Sequence, residues 1–369
     1  MNDSAGRVLG TADLQQILLG ATFLGSGGGG PISLGQAMVT QLSQLASQGY
    51  PVTLVPAAAL PADEEGAIIA GVGSPDAAAN GFPLGALTAA WDRLGSPPAD
   101  PLTFVLPAEL GAGNSFIPFL LAAQQRLPVV DCAGASRAVP GLSQVTYDTP
   151  STPVGEVVLT DATTWVEYST DTTDHADEAM RLLMSGTLFA EVAGAALWRM
   201  TGDQVRATAI TGTTTQMQAV GAALQDPDPS ARIPKATSLL VGGEVVVAGQ
   251  IVKVDQSTGG GFDHGQVVIQ DSSSTAQYTV MTINENLAVL RSDPEATLFV
   301  APDLLCYALA DGTPFSNAEV NDRMHQDMVL VRCFAAPQMY EPHILAGFDA
   351  LLTQCGLKGP FTHTPPPTS

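Results

Sequence analysis

Basic residues are scarce: 14 Lys and Arg stand against 36 Asp and Glu, a formal net charge of −22 over 369 residues. That balance repels phosphate backbones and anionic lipid, so nucleic acid is not an expected partner. Charge of either sign is thin, at 14% of residues against 45% apolar. Such a chain folds rather than staying disordered, and with so few charges it is expected to hide apolar surface in a homo-oligomer. Cysteine is sparse too. Cys132, Cys306, Cys333 and Cys355 form no C-x-x-C pair, which argues against a zinc site and a disulfide framework. No apolar run approaches the roughly 20 residues of a membrane span, and no basic segment leads into an apolar one at the N-terminus. The expectation is a cytoplasmic protein without a membrane partner. The five histidines lack ligand spacing, so neither a metal nor a cofactor is called for.

Glycine is what the chain has in quantity. Residues 24–35 read LGSGGGGPISLG, a run that costs backbone entropy and must repay it by conformation or close approach. It lies between two helical patterns, TADLQQILLGATFLG and ISLGQAMVTQLSQLASQG. Pro31 suits the first turn of the second helix. Bare amides there, with the helix dipole, favour an anion or a developing negative charge, which makes Gly27, Gly28, Gly29 and Gly30 candidate substrate contacts. A tight helix–helix connection packed on a sheet is the structural alternative. The Lys-Ser/Thr of a phosphate-binding P-loop is missing.

At this length two domains are expected. The first, 1–165, reads as α/β with a mostly parallel sheet. PVTLVP, GAIIAGVGSP, LTFVLPAEL and LPVVDC are short apolar runs suited to strands covered on both faces. PLGALTAAWDRLG and SFIPFLLAAQQRL fit crossover helices between them. The second domain, 166–360, reads as a helical segment over 174–226 and a β-rich sandwich- or barrel-like part over 236–345. DPDPSARIP looks like a loop or hinge, and the tail 361–369 like disordered chain.

Three stretches carry chemistry. LPAELGAGNSF, 106–116, follows an apolar strand, where ligands of open α/β sheets bind. Glu109 is a candidate general base there and Asn114 a donor to a carbonyl or ring nitrogen. Ser115 is balanced between substrate contact and helix cap. VVDCAGASRAVPG, 129–141, repeats the arrangement, with Asp131 at a strand end and Arg137 placed to hold it ionised; an ordinary salt bridge is the alternative. MTINENLAV, 281–289, breaks a β run with Asn284, Glu285 and Asn286, so the triplet either crosses an interface or meets a ligand. STGGGFDHGQ, 257–266, reads as a β-hairpin with a glycine-rich tip.

In order and spacing these segments resemble the S-methyl thiohydantoin desulfurase family over roughly residues 10–350. The resemblance implies a two-domain hydrolase of a small five-membered cyclic molecule, in which water displaces methanethiol and leaves hydantoin. It implies a carboxylate, Glu109 or Asp131, activating water, with loop amides and Asn114 or Arg137 polarising the ring carbonyl. Two departures from the family pattern stand out: Pro31 follows Gly30 with no Asp between, and Ala133 occupies a commonly acidic position. A chain that keeps the fold but serves as a metabolite-binding or partner subunit is the alternative expectation.

Overall fold

The computed structural model describes residues 6–73, 83, 85–95, 101–186, 188–189, 192–259 and 262–367. After a short β1 (Arg7–Val8), helices Thr11–Leu24 and Ile32–Ser47 flank the glycine run. The expected strands follow as β2 (Thr53–Val55), β3 (Glu65–Gly73), β4 (Leu102–Leu106) and β5 (Pro128–Val130). They pair parallel, β2 on β5, β5 on β4 and β4 on β3. Crossover helices Gly85–Leu94 and Ile117–Gln125 lie where the apolar periodicity places them. The second buries every residue from Ile117 to Ala123, which is why it reads as apolar all round.

Chain beyond the parallel core completes this sheet. After β6 (Cys132–Ala133) come a hairpin of β7 (Gly155–Thr160) and β8 (Trp165–Thr170), then β9 (Val192–Thr201). The full order is β1-β2-β5-β4-β3-β9-β7-β8, with β9 antiparallel to β3. The segment 174–226 is therefore not purely helical as expected. Helix Thr173–Met184 ends before β9, and helices Gly202–Thr208 and Thr213–Leu224 follow it. The misreading has a physical source: VAGAALW is apolar throughout, and a buried strand with that composition has no period to separate it from a buried helix. Between the last two helices, β10 (Ile210–Thr211) pairs with β6 in a small second sheet.

DPDPSARIP is a helix start rather than a loop. The Asp228 side chain caps helix Pro229–Ser238 by accepting from Ser230 N, and Pro229 occupies its first turn, where a missing N–H costs nothing. The β-rich part is one eight-stranded antiparallel sheet built from β11 (Glu244–Gly259), β12 (Phe262–Asp271), β13 (Gln277–Ile283), β14 (Glu285–Ser292), β15 (Glu295–Val300), β16 (Leu304–Leu309), β17 (Pro314–Phe315) and β18 (Asp327–Cys333). Its order is β15-β14-β13-β12-β11-β18-β16-β17, around a separate core that includes Ile251, Val267, Val280 and Leu330. The expected glycine-tipped hairpin is β11–β12, paired out to Gly259 and Phe262; the tip itself, 260–261, lies outside the described residues. Helix Pro342–Gln354 closes the chain. Residues 361–367 of the tail are anchored rather than free, because the buried side chain of His363 meets Asp349 at 2.7 Å and Phe361 packs on the main core. Among the described residues no helix is long and apolar enough to cross a membrane.

Candidate active site

The glycine run is bare first because three pieces of chain cross there. A Cβ on Gly28 would sit 2.1 Å from Glu285 Oε1, and one on Gly29, at φ +73°, 2.4 Å from Gly111 Cα. The Gly29 carbonyl accepts from Gly113 N at 2.8 Å and Asn114 N at 3.1 Å, while the Gly27 carbonyl accepts from Asn317 N at 2.8 Å. The run thus ties the loop after β4 to the antiparallel sheet. The anion expected at the following helix start is the protein's own: Ile32 N donates to Glu319 Oε1 at 3.0 Å, and Glu319 in turn accepts from Ser316. The Gly29 and Gly30 amides donate to no acceptor among the described residues.

Beside those two glycines opens a cavity of about 160 Å³. A dry cavity of roughly 150 Å³ holds benzene, so this one suits a single small ring and falls short of a nucleotide. It lies at the carboxyl ends of the parallel strands, lined by the end of β3 (Ala70–Gly73) and by loop residues after β4 and β5. Helix Thr173–Met184 and the β12 and β13–β14 edge of the other sheet complete the wall.

Two carboxylates from different halves of the chain reach it. Glu109 Oε1 accepts from Asn114 Nδ2 at 2.7 Å and Oε2 from Val139 N at 2.7 Å. Asn114 is oriented by Gly71 N, which donates to its Oδ1 at 2.8 Å. Burial pushes the Glu109 carboxyl up to about 7, against the opposing pull of those hydrogen bonds and of Arg137. Glu285 stands at the start of β14. Burial and the nearby Glu109 push its carboxyl well above the usual carboxylate range, and its Oε2 has no hydrogen-bond partner among the described residues. Next to it Asn284 holds a left-handed φ of 54°, accepts from Asp263 N through Oδ1 and lines the cavity. Asn tolerates that conformation better than most residues, which accounts for the break in the β pattern. Among the described residues no group of three or more His, Cys, Asp or Glu is arranged to hold a metal ion.

Residues 12–168 match the model of the S-Me-THD-like N-terminal domain, and residues 171–346 that of the S-Me-THD-like C-terminal domain. The chain belongs to the S-Me-THD-like family. A protein from Chromobacterium violaceum solved by X-ray crystallography is similar to this S-Me-THD-like chain at 26% identity and a TM-score of 0.81, over 96% of this chain and 99% of that one. No curated protein matches it.

Of the residues singled out in sequence, this S-Me-THD-like chain gathers Gly29, Gly30, Glu109, Asn114, Asn284 and Glu285 on the cavity. The others do different work. Asp131 corrects the expectation of a catalytic carboxylate: its Oδ1 accepts from Thr214 N at 2.8 Å and Thr215 N at 3.2 Å, and its Oδ2 from Thr215 Oγ1 at 2.5 Å. It caps helix Thr213–Leu224 from outside, off the cavity lining. Ser115 Oγ accepts from Gly111 N at 3.0 Å and faces Met217 Sδ, a turn cap rather than a substrate contact. Arg137 is fully buried behind the cavity and does not pair with Asp131; its donors go to backbone carbonyls. Gly27 and Gly28 are packing positions, and Asn286 N donates to Ser26 O across the contact between the two halves of the chain, while its side chain bonds Leu305 O and Asn317 within its own half. The triplet 284–286 therefore meets both an interface and a cavity. Pro31 caps its helix and Ala133 is buried in β6 opposite Ile210, so neither departure from the family pattern lies on the lining.

Among the lining residues to which sequence reasoning gave no site role, Asp177, Arg181 and Phe262 are the charged and aromatic ones. Asp177 and Arg181 form an ion pair at 2.9 Å one helical turn apart, and the guanidinium lies 4.0 Å from the centre of the Phe262 ring. Burial raises the Asp177 carboxyl despite that pairing. The only signal of Asp177 and Arg181 in the sequence is an Asp/Arg spacing of four, which is common on exposed helices; Phe262 lies in the glycine-rich stretch read as a hairpin tip.

Proposed function

We propose that the cavity is the active site of a hydrolase acting on a small five-membered ring of the S-methyl thiohydantoin class. The observation that carries this reading is the pair Glu109 and Glu285, two buried carboxyl groups on one ring-sized cavity beside the unengaged Gly29 and Gly30 amides. Like charges held close in a poorly solvated site share a proton, which provides a base and an acid near neutral pH. Glu109, at about 7 and hydrogen-bonded through both oxygens, is the base; Glu285, held well above the usual carboxylate range by burial and by Glu109, is the acid.

Water attacks the ring carbon that bears the methylthio group, and Glu109 takes its proton as protonated Glu285 gives one to the adjacent ring nitrogen. The tetrahedral carbon then collapses. Its hydroxyl proton returns to Glu285, the C–S bond breaks, and methanethiolate leaves with the proton held by Glu109. The products are hydantoin and methanethiol, and both carboxyl groups end as they began. Asn114, Asn284 and the glycine amides provide the donors that hold the ring carbonyl.

The test is release of thiol from S-methyl thiohydantoin, followed with a thiol-trapping dye. Turnover by the wild type that is lost in Glu109→Gln and Glu285→Gln supports the reading. A thermal shift with that compound but no thiol released by the wild type overturns it in favour of a metabolite-binding protein.

A further inference from the structure

Arg137 is a buried cation without an ion-pair partner among the described residues, an arrangement that is costly unless charge lies close by. It is fully enclosed. Its Nε donates to Ala138 O at 3.0 Å, one terminal nitrogen to Asp303 O at 2.6 Å and Pro302 O at 3.4 Å, and the other to Asn286 O at 2.6 Å. Two of those acceptors adjoin residues of the carboxyl pair, one along the chain and one through a hydrogen bond. Asn286 directly follows Glu285, and Val139, two residues after Arg137, donates to Glu109 Oε2 at 2.7 Å. One side chain thus grips the loop that holds Glu109 and the strand that carries Glu285.

We propose that Arg137 is a positioning residue: it joins the two halves of the molecule behind the cavity and serves as the shared counter-charge of Glu109 and Glu285. The inference deepens the hydrolase reading of the same cavity, yet it concerns the carboxyl pair itself and needs no substrate to be tested. The charged and titratable groups around the pair are few. Asp263 on β12 adds negative charge near Glu285. Cys306 on β16, Cys333 on β18 and Asp303 after β15 face Arg137 from behind. Asp177 and Arg181 on helix Thr173–Met184 largely offset each other across the cavity. That leaves Arg137 as the cation acting on both carboxyl groups, and it favours the charged form of each.

The test is an infrared titration of the protonated-carboxyl band in the whole protein without substrate. The wild type is expected to show a buried carboxyl, Glu109, with its midpoint at about 7. In Arg137→Met that midpoint rises by roughly 1–3 units, the usual effect of losing an opposite charge at close range, and in Arg137→Lys it rises less. In Glu109→Gln the remaining Glu285 carboxyl keeps the guanidinium and loses its like-charged neighbour, so it titrates lower than it does within the pair; in Glu285→Gln the Glu109 carboxyl loses only a neutral neighbour and keeps its wild-type midpoint. If Arg137→Met does not fold, Arg137→Gln, which keeps amide hydrogens for donation but carries no charge, decides the matter by the same rise. An unmoved midpoint in folded Arg137→Met, or in folded Arg137→Gln where the Met variant does not fold, overturns the proposal. Failure of thiol release leaves these midpoints in force, so the two readings fail separately.

Discussion

Asp303 and Glu285 are both buried acids at ends of strands in the antiparallel sheet, and they are provisioned in opposite ways. Asp303 Oδ2 meets Arg332 Nε at 2.7 Å and its Nη2 at 2.5 Å, and Oδ1 accepts from Tyr340. The Arg332 guanidinium is stacked 3.8 Å from the Phe334 ring centre. Both Asp303 oxygens have donors there. Glu285 has a second acid for a neighbour, a cation reached only through backbone, and an orphan oxygen. Fully satisfied charge fixes a fold, whereas charge kept short of partners is held available for a ligand. That contrast supports placing the proposed site at Glu285 and not at Asp303, although both clusters are buried and both contain arginine.

The largest effect expected from that contrast is kinetic. Glu109→Gln and Glu285→Gln should each lower thiol release on the order of 10²–10⁴-fold, the usual worth of a positioned acid or base, while far-ultraviolet circular dichroism stays that of the wild type. Asp303→Ala should do the reverse. It strands Arg332 in the interior, and breaking a buried pair in this way costs about 3–5 kcal/mol, to be read by chemical denaturation.

A third difference appears with pH. Glu109 has its folded value raised from 4.5 to about 7, so folding favours its protonated form. Its contribution to stability is fully present below 4.5 and is lost as pH rises through 7. A shift of that size corresponds to about 3 kcal/mol. The stability difference between wild type and Glu109→Gln should move by about that amount between pH 4 and pH 8, with the wild type relatively stronger on the acid side. Denaturation midpoints at the two pH values measure it, and a constant difference would mean that Glu109 is not held protonated.

How much of this was readable follows the range of the interaction. The parallel strands and their crossover helices are written in local apolar runs, and the place of the cavity at their carboxyl ends follows from them. The misfit of Asn284 and Asn286 in a β run was legible because buried amides need partners wherever they fall. Glu109 and Asp131 have the same local setting, an acid just past an apolar strand. What separates them is a contact more than 80 residues away in sequence, where Thr214 and Thr215 take the Asp131 carboxylate. No local pattern carries that information. Arg137 was visible as a charge near the site, but its target was not, since the carbonyls it holds belong to residues 286, 302 and 303.

The smallest expected effect is the one that separates those two strand-end acids. Asp131→Ala removes a cap from helix Thr213–Leu224, and losing an N-terminal cap costs typically about 1 kcal/mol, with a range of roughly 0.5–2. The loss should appear as a lowered denaturation midpoint with little change in turnover per folded molecule, because the carboxylate already has three donors and none of them lines the cavity. Asp131→Asn should lose less, since an amide oxygen still accepts from Thr214 N. A collapse of thiol release in folded Asp131→Ala, with Glu109→Gln still active, would move the chemistry one strand over and leave the Glu109–Glu285 cavity without a reaction.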